Sequence, residues 1–342
     1  VSDLSVAVIG VGRIGRMHAE ILSYQLAGAR LAAVADASAD LAGAVGAALG
    51  VPARTTEQVL ADPATDAVAI CASTDAHVEL IVAAAGAGKA VFCEKPISLD
   101  LAGVDAALES VRRAGVPFMV GFNRRFDPAH QAVRDAVAGG EVGEPHLVRI
   151  TSRDPAPPPL AYARVSGGIF LDMTIHDVDM ARFVTGSEVV EVFAQGLVRV
   201  DPQLEEIGDL DTAVVVLRHA GGCLTTIDNS RRAVYGYDQR VEVFGSAGLA
   251  ASDNPPLHTS VLRTAAGSLS PPPPAFFLDR YATSYRRQWE AFVAAVTAGT
   301  PVPTGGADGR APLVVGLAAW RSARERRPVA VSEIDGQRAA AS

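Results

Sequence analysis

Asp172 and His176 stand four residues apart in the run Gly167-Gly-Ile-Phe-Leu-Asp-Met-Thr-Ile-His-Asp-Val-Asp-Met-Ala-Arg182. Read as helix, the run projects both side chains from one face, one turn apart. A carboxylate beside an imidazole fixes its tautomer and supports its cation, which makes a positioned proton acceptor. Lys95, in Glu94-Lys95-Pro96, is the second reactive group. Its ammonium can stabilise a developing alkoxide. An alcohol has a high pKa, so hydride departure from its carbon needs a base within hydrogen-bond reach. A helix-surface ion pair and an ordinary Lys-Pro turn are the plain alternatives for each motif taken alone.

The hydride acceptor has its own signature. Gly10-Val-Gly-Arg-Ile-Gly15 follows a strand-like run, Ser5–Ile9, and opens a helix. In that setting Gly10 permits a tight turn, Gly12 lets the backbone approach a pyrophosphate, and Gly15 lets helix and strand pack closely. The diphosphate would rest on the helix N-terminus. Asp36 ends the next strand, 21 residues after Gly15, where an acid meets the ribose 2′-hydroxyl. It repels a 2′-phosphate, and Ala37, Ser38 and Ala39 bring no arginine, so NAD is expected over NADP.

These groups need a scaffold that brings strand ends together. Strand patterns at 5–9, 31–35, 67–70, 90–93 and 118–120 alternate with helical stretches at 16–27, 38–49, 77–87 and 99–114, which predicts βαβ units and a parallel sheet. After a helix at 128–138 the rhythm changes to strands at 145–153, 189–199, 212–218, 223–231, 239–245 and 259–264, broken by a helix at 170–185. Helices at 281–298 and 306–326 follow. The fold class is therefore α/β: an N-terminal doubly wound Rossmann sheet over 1–122, then an α+β domain over 123–330 with a large, mainly antiparallel open sheet. The helix 306–326 is a candidate to pack back toward the first domain, and 331–342 reads as a tail. Two proline-rich stretches, Pro155–Pro159 and Pro271–Pro274, read as extended loops.

The Gly-x-Gly-x-x-Gly with His18 three residues on, Glu-Lys-Pro at 94–96 and Gly-Gly-x-Phe-x-Asp-x-x-x-His-Asp at 167–177 resemble the glucose–fructose oxidoreductase/inositol dehydrogenase/rhizopine catabolism (Gfo/Idh/MocA) family over nearly the whole chain. The runs Asp172–Arg182, Gly121–Asp127 and Tyr235–Gly245 are similar to its inositol dehydrogenase branch. The resemblance implies oxidation of a ring hydroxyl of myo-inositol to an inosose, with NAD reduced. His176 would accept the hydroxyl proton, Asp172 would orient the imidazole, and Lys95 would hydrogen-bond the reacting hydroxyl and the nicotinamide ribose.

The same resemblance places Arg124, Asp154 and Tyr235 around the polyol, a ring that needs donors and acceptors on every side. Asp179, two helical turns after Asp172, would bind a substrate hydroxyl or pair with Arg182. Arg13 and Ile14 in the turn, Ser73, Thr74, His77 and Glu94 after later strands, and Asn123 beyond the last strand complete the expected cofactor set. The loop Asp154–Ser166 is where substrate choice is expected. Another polyol or sugar (scyllo-inositol, a further isomer, an aldose) is the rival substrate. A non-catalytic NAD-sensing regulator is the rival of another class, and the joint presence of Lys95, Asp172 and His176 speaks against it.

Composition agrees with such an enzyme. Hydrophobic residues make up 49% and charged residues 20%, and no apolar stretch is long enough to span a bilayer. The net charge of −8 argues against nucleic acid as the main partner. Cys71, Cys93 and Cys223 are too few and scattered for a disulfide framework or zinc site, and no metal is expected. The first strand begins at once, without a leader pattern, so a cytoplasmic location is expected. The partners implied are a small polyol or sugar and, from the resemblance, further copies of the chain as a tetramer or dimer, with no membrane.

Overall fold

Five short apolar strands, β1 (Leu4–Ile9), β2 (Ala29–Ala35), β3 (Ala67–Ile70), β4 (Ala90–Cys93) and β5 (Phe118–Val120), form an all-parallel sheet in the order β2-β1-β3-β4-β5. Every residue of β3, β4 and β5 is buried, as a sheet covered on both faces requires. The order reverses across β1, which makes its carboxyl end the switch point where such sheets bind ligands. The computed structural model describes residues 3–336. They divide into two units: the chain up to Asn123 together with Thr283–Ala311, and Arg124–Ala282 together with the chain from Pro312 onward.

That division corrects the expected continuous second domain over 123–330. Thr283–Ala311 belongs to the first unit because its side chains finish that unit's core. The Trp289 ring stacks on Phe92 at 4.7 Å, and Phe292 meets both edge-on. Thr304 exchanges two hydrogen bonds of 2.8 Å with Val120, so the exposed edge of β5 is covered by a distant part of the sequence. The helix Gly306–Glu325 begins in this unit. A Cβ on Gly306 would lie 2.4 Å from Leu108 and one on Gly309 2.5 Å from Ile97, so the helix packs there backbone to side chain. From Pro312 the same helix belongs to the second unit, where Gly316 approaches Leu171 as closely.

The second unit contains a sheet of β6 (Pro145–Arg153), β7 (Val189–Leu197), β8 (Thr212–His219), β9 (Leu224–Ser230), β10 (Asp238–Gly245) and β11 (Leu249–Ser252). The segment expected as a strand over 259–264 does not join it. It supplies β12 (Leu262–Thr264), which pairs only with β13 (Gly267–Leu269), and every residue of that hairpin is exposed. A two-residue edge strand, β14 (Val329–Ala330), completes the order β11-β10-β6-β9-β8-β7-β14. All neighbours are antiparallel except β6 and β9. Val148, Ile150, Val215, Ile227 and Val241 on the inner face pack with Phe170, Val178 and Ala181 in one apolar core. Of the expected tail, Ser332–Asp335 forms a helical turn and residues 337–342 lie outside the described residues.

The helix expected over 170–185 is two helices. Gly168–Asp172 ends at Met173 (φ −99°, ψ −61°), and Thr174–Thr185 begins there. Asp172 and His176 therefore do not share one continuous helical face.

Candidate active site

In the first unit, the turn after β1 has the geometry of a dinucleotide cradle. Gly10 sits at φ +88°, and a Cβ there would lie 2.4 Å from the Ala72 nitrogen. A Cβ on Gly15 would lie 1.8 Å from the Gly10 carbonyl oxygen, so only glycine lets the helix Arg13–Tyr24 pack against the turn. A Cβ on Gly12 would meet nothing within 4 Å. That open space lies at the helix N-cap, which has no side-chain acceptor and no acidic residue in the first turn. An anion such as a pyrophosphate fits there. Because Gly12 is itself the N-cap, the helix starts at Arg13, three residues before its expected start. Asp36 accepts hydrogen bonds from the backbone N–H of Val11 (2.8 Å) and Ser38 (2.9 Å), which ties the end of β2 to the glycine turn.

Ser73 and Thr74 begin the helix Thr74–Gly86 beyond β3. His77 is not placed as expected: its ring is buried, with Nδ1 2.8 Å from the Pro96 carbonyl and Nε2 3.0 Å from that of Ala72. Burial lowers its pKa although both carbonyls favour the cation. It braces the loop after β3 against the Lys95–Pro96 turn, and its ring nitrogens are taken up by protein carbonyls. The Lys95–Pro96 peptide is cis. Glu94 Oε1 lies 2.8 Å from His18 Nε2, and Oε2 accepts from the Lys95 backbone N–H at 3.3 Å. Asn123 is buried at the start of a 3₁₀ turn, and its amide nitrogen has no hydrogen-bond partner among the described residues. A buried orphan donor calls for a ligand or water acceptor.

In the second unit the parallel pair sets the chemistry. Because β6 and β9 run the same way, with Arg153 opposite Ser230, the next residues, Asp154 and Arg231, emerge side by side. Arg231 is 1% exposed and gathers three carboxylates. Both of its terminal nitrogens donate to Asp172 Oδ2, at 3.3 and 3.4 Å, and it lies 3.9 Å from Asp154 and from Asp209. The Tyr162 hydroxyl donates to Asp172 Oδ1 at 2.8 Å. Tyr162 belongs to the loop in which substrate choice was expected. Burial raises Asp154 to about 6; Arg231 opposes the shift and Asp172 adds to it. Burial also raises Asp209, against the backbone N–H groups of Leu210 and Ile169.

Asp209 explains Gly168. Gly167 and Gly168 both have positive φ, and a Cβ on Gly168 would lie 2.6 Å from Asp209 Oδ1 and from the Trp320 ring. Asp209 Oδ1 accepts from the Ile169 N–H at 2.8 Å, which anchors the start of the helix that ends in Asp172. The following helix is fixed separately. Asp177, fully buried, accepts from Arg124 Nη1 at 2.6 Å and from Asn229 Nδ2 at 2.8 Å, and Thr174 donates to Asn229 at 2.6 Å. His176 sits between these two anchored residues.

Three of the expected substrate ligands have protein partners in the fold. Arg124 is buried against Asp177, Ser152 and Tyr237, so its guanidinium holds the His176 helix. Asp179 is 1% exposed and takes a bidentate ion pair from Arg125 at 2.6–3.1 Å, with Arg182 farther off at 3.9 Å. Both charges are thus matched by protein ion pairs in the fold. Tyr235 is 47% exposed, and its hydroxyl donates to Asp238 at 2.6 Å and accepts from Arg153 at 3.0 Å. Arg231, Asp177 and Asp209 were missed by the sequence reading; only the adjacency of Asp177 to His176 gave any signal. Among the described residues, no group of three or more His, Cys, Asp or Glu side chains is arranged to hold a metal, and no helix is long and apolar enough to cross a membrane.

Two family models match the chain: residues 4–122 match "Oxidoreductase family, NAD-binding Rossmann fold", and residues 130–251 match "GFO/IDH/MocA C-terminal domain". The chain is 50% identical over 335 residues to a myo-inositol 2-dehydrogenase of Thermotoga maritima, covering 97% of this chain and 100% of that one. An inositol 2-dehydrogenase of Rhizobium meliloti is 47% identical over 325 residues, 95% and 98% of the two chains. The solved structure of a Lactobacillus casei scyllo-inositol dehydrogenase with NAD(H) and scyllo-inositol superposes with a TM-score of 0.90 at 27% identity, covering 97% of this chain and 100% of that one.

Proposed function

Because the chain belongs to the GFO/IDH/MocA family of oxidoreductases, we propose that it oxidises a ring hydroxyl of myo-inositol to the ketone of an inosose, with NAD as the hydride acceptor. The bound dinucleotide supplies the electrophilic nicotinamide carbon that takes the hydride. His176 accepts the hydroxyl proton, so one hydride and one proton leave the alcohol together. Lys95 donates to the same oxygen and steadies its developing charge. Asp172, held by Arg231 and Tyr162, supports the imidazolium. Asp154 lies in the same carboxylate cluster and accepts or donates to a neighbouring hydroxyl of the polyol. Asp36 favours NAD over NADP by meeting the ribose diol, and the orphan amide of Asn123 suits the nicotinamide end.

The observation that carries this reading is the anchoring of the Asp172–His176 segment from both sides, by Asp209, Arg231 and Tyr162 before it and by Arg124 and Asn229 after it. A protein that only sensed the dinucleotide would have no use for so constrained a proton acceptor. Scyllo-inositol is the second reading, because a scyllo-inositol dehydrogenase shares this fold. We place the enzyme in the cytoplasm, in polyol and carbohydrate metabolism, as a homotetramer or dimer. Phe244, Leu147 and Leu224 lie opposite one another on neighbouring strands and are exposed, an apolar row suited to burial against another copy. Purified protein with NAD or NADP and a panel of inositol isomers and aldoses tests the reading by absorbance of the reduced cofactor. NAD reduction with myo-inositol, lost in Lys95→Ala and His176→Ala, is expected. Turnover confined to an aldose refutes the substrate, and dinucleotide binding without turnover on any polyol refutes the enzyme.

A further inference from the structure

We propose that His18 and Trp289 form a positioning dyad for Glu94, in which the tryptophan fixes the histidine tautomer and the histidine fixes the carboxylate beside Lys95. The proposal rests on the reading above only in assigning Glu94 to the cofactor.

The His18 ring is fully buried in the helix that follows the glycine turn. Its Nδ1 is 2.9 Å from the indole nitrogen of Trp289. An indole N–H can only donate, so Nδ1 must accept and carries no proton. The neutral ring then has its hydrogen on Nε2, which points at Glu94 Oε1 across 2.8 Å. The tautomer thus follows from its partners. An imidazolium would set two N–H donors against each other at Nδ1, and the other neutral tautomer would turn a lone pair toward a carboxylate. The ring cannot rotate away: Phe92, Tyr285 and Trp289 meet it edge-on with centroids 5.3–5.8 Å distant.

Glu94 is confined from the other sides too. Its second oxygen accepts from the Lys95 backbone N–H, and a Cβ on Gly121 would lie 3.0 Å from all three carboxyl atoms. The side chain keeps 15% of its surface exposed, so the carboxylate is held at the rim of the sheet and can still meet a ligand. A carboxylate with a fixed orientation is suited to accept from paired sugar hydroxyls, as on the ribose of a dinucleotide. Trp289 comes from the segment that returns to this unit from near the end of the chain, so the turn bearing Lys95 is aligned by a residue nearly 200 positions away.

The test is a double-mutant cycle on the full-length protein with ¹⁵N NMR of the histidine ring. Trp289→Phe keeps an aromatic ring over Phe92 and removes the N–H. The wild type is expected to show the Nε2–H tautomer, and W289F a population in which Nδ1, no longer facing a donor, carries hydrogen as well. In W289F the KM for NAD should rise about three- to tenfold, as for loss of one neutral hydrogen bond, with the polyol KM changed less than about twofold. In the Glu94→Gln background the same substitution should add less than about twofold, because its effect runs through the carboxylate. A wild-type ring with hydrogen on Nδ1, an unchanged KM for NAD in W289F, or equal losses in both backgrounds overturns the proposal. If W289F melts early, His18→Gln in the same cycle decides between the outcomes. The NMR arm needs no cofactor, so a wild type that reduces no dinucleotide refutes the proposed function separately, while the tautomer still decides the dyad.

Discussion

Asp154→Asn should make the protein more stable at neutral pH while reducing its activity. The carboxyl titrates at about 6 in the fold, against an ordinary value of 3.8. A gap of roughly two units corresponds to about 3 kcal/mol of destabilisation once the group is ionised. Water reaches 28% of the side chain, and its screening reduces this to about 2 kcal/mol. Between pH 3.8 and about 6 the native state holds a proton that the unfolded chain has released, so stability falls as pH rises across that window and then levels off. Asparagine has the same shape and never ionises. The variant should match the wild type near pH 4 and exceed it by about 2 kcal/mol at pH 7. Urea unfolding from pH 4 to 8 measures this. Only two tryptophans are present, so in the W289F background Trp320, packed edge-on against Phe170 in the second unit, is the sole tryptophan reporter. Equal stability at pH 7, or an unchanged pH dependence, would refute the assignment of strain to this carboxylate. The loss of turnover would mark Asp154 as a group whose cost in stability is tolerated for function.

Arg231→Met leaves Asp154, Asp172 and Asp209 without their shared cation, and removing one partner from a buried ion pair costs about 3–5 kcal/mol. The loss should be greatest above pH 7 and shrink as acid returns protons to the carboxyls, which urea unfolding at pH 5 and pH 8 would show; a loss equal at both would count against the cluster. The same variant should cut kcat/KM at least about tenfold by removing the two guanidinium hydrogen bonds to Asp172. Gly121→Ala puts a methyl 3.0 Å from the Glu94 carboxyl and should raise the KM for NAD several-fold, with a stability change below about 1.5 kcal/mol. An unchanged KM would show that Glu94 has no part in holding the cofactor.

What was legible in the sequence was what local spacing encodes. The Gly10–Gly15 turn works through contacts between near neighbours, such as Gly15 on the Gly10 carbonyl, so a six-residue pattern contains its whole geometry. The Gly167-Gly168 pair was visible as a motif, but the cause of Gly168 was hidden, because Asp209 and Trp320 reach it from 40 and more residues away. Arg231 was invisible for a similar reason: it meets Asp154 only because β6 and β9 pair in parallel, a register set by tertiary structure. The partners of Asp179 and Arg124 were equally hidden. Asp179 was singled out by its spacing from Asp172 and Arg124 by the family resemblance, and burial matches each with a charge of the opposite sign, Arg125 and Asp177. Charged residues that leave water must find partners, and the partners are chosen by packing. The break at Met173 had no local marker, since no proline or glycine interrupts the run.

The nucleotide-binding unit is not written in one continuous stretch, and this sets an order of events during synthesis. When Asn123 leaves the ribosome, Phe92 and His18 still lack Trp289 and Phe292, and the edge of β5 lacks Thr304. At about 5–20 residues per second, the covering segment follows roughly 10–40 s later. During that interval an apolar surface and an open strand edge are exposed, and all of Arg124–Ala282 is made in between. The N-terminal third of this enzyme should therefore depend on chaperones while nascent. Residues 1–122 expressed alone should be prone to aggregation, whereas a version that joins 283–311 to them through a linker should be rescued.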